Sequence, residues 1–303
     1  MAVNNIDEIR ELAERLKKQM DAVGFDPSVV ENRHTDVQFG ELSEQKMDLY
    51  LPSKGEGPFP LLIYIHGGGW YIGSRRACAM DVVLRVLDEG WAIMVPDYRL
   101  FPDVQFPEFI YDVKTALRYA RANAEKYNLD PNKFVILGDS AGGHIALTVA
   151  FTNDRPEYEG EKYGWAGVSS AVQGVCSMYG LTILDGDEDE MFRQCGVNRV
   201  NFAPGGKGDI YEMVFGTDNK ELRRLVSPIG LVHKDIPPVF LQHGLADTLV
   251  PYLHSKLLGE HIEEVCGKDR YDITLYPGRG HADPAFKLEE NHRELMAFLN
   301  KIK

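Results

Sequence analysis

Residues 134–145 limit the possible folds of this chain more than any other segment. Four apolar residues typical of a buried strand lead directly into Gly-x-Ser-x-Gly at 138–142, and a helical sequence follows. A sharp turn from strand to helix would hold the hydroxyl of Ser140 above the edge of a sheet. A chance match in a loop is common in long chains, but the flanking strand and helix patterns argue against it. The segment therefore predicts a serine nucleophile on an α/β fold.

A second glycine-rich segment lies upstream, where an apolar run at 60–65 leads into His66-Gly67-Gly68-Gly69-Trp70. Glycines let backbone amides approach a ligand closely in unusual conformations. The amides of Gly68, Gly69 and Ala141, the residue after the serine, could bind the negative oxygen of a tetrahedral intermediate. A flexible turn explains the glycines about equally well when the segment is taken alone. Its pairing with Ser140 favours an oxyanion hole.

Together these motifs resemble the hormone-sensitive-lipase-like branch of the α/β-hydrolases, close to bacterial carboxylesterases and feruloyl- or acetyl-ester hydrolases. The segments 96–102 (Pro-Asp-Tyr-Arg-Leu-Phe-Pro) and 106–107 (Phe-Pro) match the same branch, and the resemblance covers residues 45–300. It implies a mostly parallel central sheet flanked by helices, with a small cap insertion. It also implies a serine esterase that uses a catalytic triad and needs no metal or organic cofactor.

A triad on this fold follows the order serine, acid, histidine. His281 is the candidate base, because it ends a Gly/Pro-rich loop after a β-type run. Asp247 is the candidate acid, because it follows the apolar run 239–243 at the position that matches the family's pattern. An aspartate in a loop is more often a turn former, and Asp283 is the runner-up acid. We therefore expect Ser140, Asp247 and His281 to form the triad.

Residues 180–226 interrupt the alternation of strands and helices. The acidic run 185–190 does not fit a calcium loop, since Glu188 stands where glycine is needed and Gly196 where the bidentate glutamate is needed. We interpret this run as a solvated loop and 180–226 as a cap over the active site. The predicted pocket residues beside the glycine loop are Trp70 and Tyr71. Those of the cap, which could also be plain core, are Met191, Phe192, Tyr211 and Phe215.

The length and the alternation of strands and helices predict one α/β domain over residues 1–303, which the resemblance implies is an α/β-hydrolase domain. Apolar residues recur at helical spacing over 6–23, which indicates an amphipathic N-terminal helix. Further helices are expected at 76–89, 108–126, 252–266 and 284–301. Strands are expected at 33–39, 46–51, 60–65, 91–95, 171–178, 238–243 and 270–276, and the segment 133–152 holds the strand and helix around Ser140. Alternating strands and helices favour a mostly parallel sheet.

Charge and composition exclude several partners. The net charge is −13 with no basic cluster, which argues against nucleic acid and anionic membrane surfaces. No run approaches the ~18 apolar residues of a membrane span, and the N-terminus lacks the pattern of a signal peptide. The histidines show no metal-ligand spacing.

The four cysteines, which lack a Cys-x-x-Cys pair, indicate free thiols in a reducing compartment: Cys78, Cys176, Cys195 and Cys266. We expect a cytoplasmic protein whose oligomeric state stays open, a homodimer being one option.

Three functions fit these patterns. The first is a carboxylesterase acting on short acyl or phenolic (acetyl- or feruloyl-type) esters. The second is an arylformamidase-like amide hydrolase, which would use the same residues. The third is a non-catalytic ligand receptor on this fold, as in the gibberellin receptors, which lack the catalytic histidine. The presence of His281 ranks the receptor last.

Overall fold

The computed structural model of the chain describes residues 6–76, 80, 83–153, 155–201, 203 and 209–302. A single mixed sheet organises these residues. In chain order its strands are β1 (Arg33–Gln38), β2 (Lys46–Tyr50), β3 (Phe59–Ile65), β4 (Ala92–Pro96), β5 (Leu129–Asp139), β6 (Gly174–Met178), β7 (Val239–Gly244) and β8 (Tyr271–Tyr276).

The strand order is β1-β2-β4-β3-β5-β6-β7-β8. The pairs β1–β2 and β2–β4 are antiparallel, and the other five pairs are parallel. The predicted α/β class with a mostly parallel sheet is therefore confirmed. Parallel strands end at the same edge of a sheet, so the loops that follow β3, β5, β7 and β8 meet there.

The helices cover both faces of the sheet. They are α1 (Ile6–Asp21), α2 (Glu108–Ala122), α3 (Ala141–Phe151), α4 (Glu188–Cys195), α5 (Ile210–Phe215), α6 (Lys220–Val226), α7 (Leu253–Cys266) and α8 (Glu289–Ile302). Within the described part of the chain, no helix is both long and apolar enough to span a membrane.

Two predicted helices differ from the structure. In the segment 76–89 the structure has a short 3-10 helix, Leu84–Leu87, while residues 77–79 and 81–82 lie outside the described residues. The predicted helix 284–301 is divided into a 3-10 helix, Pro284–Lys287, and α8. Leu288 separates them because its backbone is extended, with φ −78° and ψ 161°.

The core lies on both sides of the sheet, as β3 illustrates. Every residue of this strand is buried. Successive strand side chains point to opposite faces, so Leu61 and Ile63 join one apolar cluster while Leu62 and Tyr64 join the other. A continuous apolar run is typical of a strand covered on both faces.

The segment 180–226 contains the helices α4, α5 and α6, with residues 202 and 204–208 outside the described part. The acidic run 185–190, predicted to be a solvated loop, instead begins α4. Asp187 caps the helix by accepting a hydrogen bond from the Glu190 amide at 3.0 Å, and Glu188 is buried. Acidic residues are favourable at a helix N-terminus because the free amides and the helix dipole stabilise negative charge there.

The described cysteines, Cys176, Cys195 and Cys266, are free thiols. Cys78 lies outside the described residues.

Candidate active site

Ser140 occupies a strained turn between β5 and α3. Its backbone is left-handed, with φ +53°, and its amide donates to the Met178 carbonyl at 2.9 Å. The turn packs tightly against the end of β3, because a Cβ atom at Gly142 would lie 2.2 Å from the Ile65 carbonyl oxygen. Glycine at 142 is therefore required for this close approach. The turn presents the Ser140 side chain at the edge of the sheet.

The structure brings the three predicted triad residues together. His281 Nε2 lies 2.9 Å from Ser140 Oγ, and His281 Nδ1 lies 2.7 Å from Asp247 Oδ2. A carboxylate only accepts, so Nδ1–H donates to Asp247 and the neutral ring's Nε2 can accept from the serine hydroxyl. This arrangement matches the orientation in which a histidine acts as a base toward serine.

The environment of Asp247 keeps its carboxylate ionised. Its Oδ1 accepts hydrogen bonds from the amides of Leu249 at 2.8 Å and Val250 at 2.9 Å. Burial alone would raise the pKa of Asp247, but hydrogen bonds from His243 and His281 outweigh it and hold that pKa well below its usual range. The acid therefore remains negatively charged over the whole neutral pH range.

The neighbouring aspartate of the sequence prediction, Asp283, lies elsewhere. Its carboxylate accepts from the Ala285 amide at 2.8 Å and caps the 3-10 helix that begins at Pro284. In the structure Asp283 therefore caps a helix, and Asp247 is the aspartate that accepts the hydrogen bond from His281.

The glycine loop after β3 lies beside the serine. Gly68 has φ +115°, and a Cβ atom there would lie 2.1 Å from the Ile72 carbonyl oxygen, so no other residue fits. Gly68 and Gly69 line the same cavity as Ser140. Among the described residues, the amides of Gly68, Gly69 and Ala141 have no intramolecular acceptor. Amides that are free beside a nucleophile are available to an oxyanion.

Asp139, which the sequence analysis did not single out, ties this loop to the serine turn. Its Oδ1 accepts from the Gly67 amide at 3.0 Å and from the Tyr64 hydroxyl at 2.9 Å. Burial raises the pKa of Asp139. The only available sequence signal was its position between Gly138 and Ser140, which does not show where the side chain points.

His281 is also held by an aromatic neighbour, Tyr179, directly after β6. The two ring centroids are 4.7 Å apart in an edge-to-face arrangement, and Phe286 packs on Tyr179 in the same way at 4.8 Å. Tyr179 has a left-handed backbone, with φ +43°. Non-glycine residues in this region are strained and often occur near functional sites.

A cavity of about 240 Å³ opens above the serine. Besides Gly68, Gly69, Asp139, Ser140 and His281, its lining is mainly apolar and consists of Tyr71, Ile72, Leu249, Val250 and Ala282. It is smaller than the ~300–1,000 Å³ of common ligand pockets. Its size and lining suit a small, uncharged group next to the serine.

Five of the six predicted pocket residues do not line this cavity. Tyr71 does, whereas the other five are buried in the core: Trp70, Met191, Phe192, Tyr211 and Phe215. No residue of 180–226 that the structure describes lines the cavity. Aromatic composition alone could not distinguish pocket from core, because both environments exclude water.

Trp70 in particular is wholly buried. Its Nε1–H faces His144 Nδ1 at 3.4 Å, and its ring meets those of Tyr211 and Phe215 edge to face. Burial lowers the pKa of His144 to about 3, so that ring is a neutral acceptor. Trp70 therefore joins the glycine loop to α3 rather than forming a wall of the cavity.

Replacing Trp70 by alanine is expected to lower the free energy of unfolding by about 3–5 kcal/mol, because it removes a fully buried indole. The variant should keep the wild-type preference among acyl chain lengths, since the Trp70 ring does not line the cavity. Urea unfolding and a p-nitrophenyl ester series would measure both quantities, with Trp70→Phe as the control that keeps an aromatic ring. A stable variant that prefers longer acyl chains would contradict this assignment.

The remaining buried histidines have structural partners. His66 Nδ1–H donates to the Gly67 carbonyl at 2.8 Å, and its ring stacks on Tyr98 with centroids 4.4 Å apart. His254 Nδ1 accepts from the amides of Thr182 and Ile183 at 3.0 and 3.1 Å. The described residues contain no cluster of three or more ligands that could hold a metal ion.

Comparison with known proteins identifies a family and several relatives of this chain. The sequence profile of the BD-FAE family matches residues 47–262, which include the serine turn and Asp247. The chain is 30% identical to Esterase LipC of Mycobacterium tuberculosis, over 81% of this chain and 58% of that protein. It is 28% identical to the isoprenylcysteine alpha-carbonyl methylesterase ICME of Arabidopsis thaliana, over 82% of this chain and 56% of that protein. The chain thus spans little more than half the length of these relatives.

Solved structures share the fold. A truncated carbohydrate esterase from gut microbiota aligns with a TM-score of 0.76 at 24% identity, covering 92% of this chain and 98% of that chain. Esterase B from Lactobacillus Rhamnosis aligns with a TM-score of 0.75 at 21% identity, covering 97% and 94%. At these identities the likeness concerns the fold alone.

Proposed function

Since the chain belongs to the BD-FAE family of α/β-hydrolases, we propose that it is a serine carboxylesterase acting on small, uncharged acyl esters. One observation carries the proposal. Ser140, His281 and Asp247 form a continuous chain of hydrogen bonds at the floor of a small apolar cavity. The esterase names of the relatives described above agree with it.

The proposed mechanism assigns each group one task. Ser140 Oγ attacks the ester carbonyl carbon while its proton passes to His281 Nε2. Asp247 holds the ring's tautomer and stabilises the imidazolium that forms. The amides of Gly68, Gly69 and Ala141 bind the carbonyl oxygen as it becomes negative.

The intermediate then collapses and the bond to the alcohol breaks. His281 gives its proton to the departing alkoxide, which leaves an acyl group on Ser140. Water loses a proton to His281 and attacks the acyl carbonyl. Collapse of the second intermediate returns the proton to Ser140 and releases the carboxylic acid. The first proton transfer joins two atoms that are already 2.9 Å apart, Ser140 Oγ and His281 Nε2.

The substrate class is the finer part of the proposal. The cavity is small, and none of the described residues that line it is a lysine or an arginine. Acetyl to butyryl esters, including acetyl esters of larger alcohols such as carbohydrates or phenols, suit it better than fatty esters. Tyr211 and Phe215 of the insertion 180–226 pack on the buried ring of Trp70, so the described part of the insertion would support the glycine loop from the core and would not form a wall of the cavity.

Ester and amide hydrolysis require the same residues, so an assay must separate them. The test is a panel of p-nitrophenyl esters of increasing acyl length beside formyl- and acyl-anilides of matched size. We expect kcat/KM to be highest for short esters. Anilides that react faster than esters would favour an amide hydrolase, and binding without turnover would favour a receptor.

Tyr71 offers a direct test of the cavity's size. Tyr71→Ala is expected to shift the preference toward hexanoyl and octanoyl esters, because removing this wall makes room for additional methylenes. A single pocket change alters discrimination by about 1–3 kcal/mol, or roughly 10- to 200-fold. Tyr71→Phe keeps the ring and should retain the original profile. An unchanged profile in Tyr71→Ala would show that the acyl chain lies elsewhere.

A further inference from the structure

A second histidine contacts the acid of the triad. His243, near the end of β7, is completely buried, and its Nε2 lies 3.4 Å from Asp247 Oδ2. This is the carboxylate oxygen that also accepts from His281 Nδ1. The mechanism described above makes no use of His243.

The partners of His243 define its tautomer. Its Nε2 lies 2.9 Å from the Val250 carbonyl oxygen, which can only accept, so Nε2 carries the proton. Its Nδ1 lies 2.8 Å from Ser255 Oγ and therefore accepts from that hydroxyl when the ring is neutral. Burial lowers the pKa of His243, which keeps the ring neutral. Both ring nitrogens are thus occupied and the ring cannot rotate without losing a bond.

Val250 connects this histidine to the acid a second time. Its carbonyl accepts from His243, while its amide donates to Asp247 Oδ1 at 2.9 Å. His243 therefore reaches Asp247 by two routes, through the hydrogen-bonded Val250 peptide and through the 3.4 Å contact between His243 Nε2 and Asp247 Oδ2. Since Val250 also lines the cavity, the same contacts hold one wall of the pocket.

We propose that His243 is a positioning residue that holds Asp247 and the Val250 backbone in the geometry required by His281. This inference rests on the proposed function, because it assigns His243 a role in the same triad. His243 itself contacts neither substrate nor the reacting atoms. It acts by fixing the Val250 peptide through its Nε2–H and by placing that N–H 3.4 Å from the carboxylate oxygen that orients the base.

Other ionisable groups face this cluster from several elements. His254 on α7 acts electrostatically on His243, and Cys195 on α4 and Tyr179 after β6 interact with Asp247. Asp139 interacts with His281 from the serine turn. All of these groups remain unchanged in the variants below, so a shift in pH dependence between variants reports on position 243.

The experiment compares two amides of different length. In His243→Gln the amide nitrogen can reach the position of Nε2 and donate to Val250. In His243→Asn the shorter amide stays near the position of Nδ1 and leaves the Val250 carbonyl without its donor. Ser255→Ala is the control, because it removes the hydrogen bond at Nδ1, on the opposite side of the His243 imidazole from Val250.

We expect His243→Asn to lower kcat for p-nitrophenyl acetate by about 10- to 100-fold with a smaller change in KM, as small displacements of catalytic groups do. The acidic limb of kcat/KM should move to higher pH, because an Asp247 carboxylate that has lost the neighbouring Nε2–H of His243 is less stabilised and holds a proton on His281 more strongly. His243→Gln and Ser255→Ala should stay within a few-fold of wild type, with the limb unmoved. Rates are normalised to sites titrated with a serine-directed phosphonate, so that unfolded protein does not count.

Wild-type kcat and an unmoved limb in His243→Asn would overturn the proposal, as would equal losses in the Asn and Gln variants. If the Asn variant does not fold, His243→Ala takes its place, because it also removes the donor to Val250. A loss of turnover per titrated site that is absent in His243→Gln supports the role, and near-wild-type turnover in His243→Ala contradicts it. Ser140→Ala separates the two proposals. Activity that survives Ser140→Ala would refute the esterase mechanism itself, whereas Ser140-dependent activity with a normal His243→Asn refutes only the role of His243.

Discussion

Replacing Ser140 by alanine is expected to lower kcat for p-nitrophenyl acetate by roughly 10⁴- to 10⁶-fold, the range seen when a catalytic serine is removed. The change deletes Oγ, the atom that attacks the ester carbonyl in the proposed mechanism. It leaves the left-handed backbone at 140 and the surrounding packing in place. The thermal unfolding midpoint should therefore change little. Steady-state kinetics and calorimetry on the same preparation would measure both effects.

Ser177 provides a matched control for this experiment. It lies on β6 beside the helix that follows Ser140, it is buried, and its hydroxyl has no hydrogen-bond partner among the described residues. Ser177→Ala removes the same atom from a nearby site and should retain activity. A serine-directed phosphonate should label Ser140 and leave Ser177 and Ser74 unlabelled. Labelling at either of these serines would disprove the assignment of the nucleophile.

Replacing Asp247 by asparagine is expected to lower kcat by roughly 10⁴-fold. An amide has a single oxygen, so it cannot accept at both the Oδ2 position, which faces His281, and the Oδ1 position, which faces the amides of Leu249 and Val250. An NH2 group turned toward His281 would favour the wrong tautomer of that ring. The negative charge that stabilises the imidazolium is also lost. Because asparagine is nearly isosteric with aspartate, the cavity and its lining should stay in place.

Asp283→Asn is the matched control, since the same chemical change is made two residues beyond His281. Asparagine caps helices about as well as aspartate, so the 3-10 helix at Pro284 should persist and activity should remain within a few-fold of wild type. Activity measured on both variants at one pH decides between the two acids. A larger loss in Asp283→Asn would mean that the triad has been assigned to the wrong carboxylate.

Local sequence patterns were sufficient to predict which segments form the strands of the sheet and in what order the site residues occur along the chain. The apolar run before Ser140 could only be a buried strand, and the glycines around it required a tight turn. The parallel sheet then implied that the segments around Gly68, Asp247 and His281 would reach the same edge. These inferences succeed because strand periodicity and glycine requirements are local, and the edge of a parallel sheet is common to all its strands.

Other features depended on packing between distant segments. Trp70 directly follows the glycine loop in the chain, yet it points into the core toward His144. The acidic run 185–190 has the composition of a loop, but it begins a helix whose Glu188 is buried. A sequence shows which side chains are apolar enough to be buried. It does not show which of the buried side chains line a cavity and which pack against other side chains in the core.

The chain's own order of residues was thus enough to predict an α/β-hydrolase fold and to select Ser140, Asp247 and His281 as candidates. Only the folded chain shows that His243 and Asp139 contact the same machinery, because neither residue belongs to a spacing that implies contact. Asp139 at the end of β5 meets Tyr64 of β3, 75 residues away in the chain, and His243 of β7 meets Ser255 of α7, 12 residues away. Contacts over such separations are decided by three-dimensional packing, which adjacent residues in the sequence do not encode.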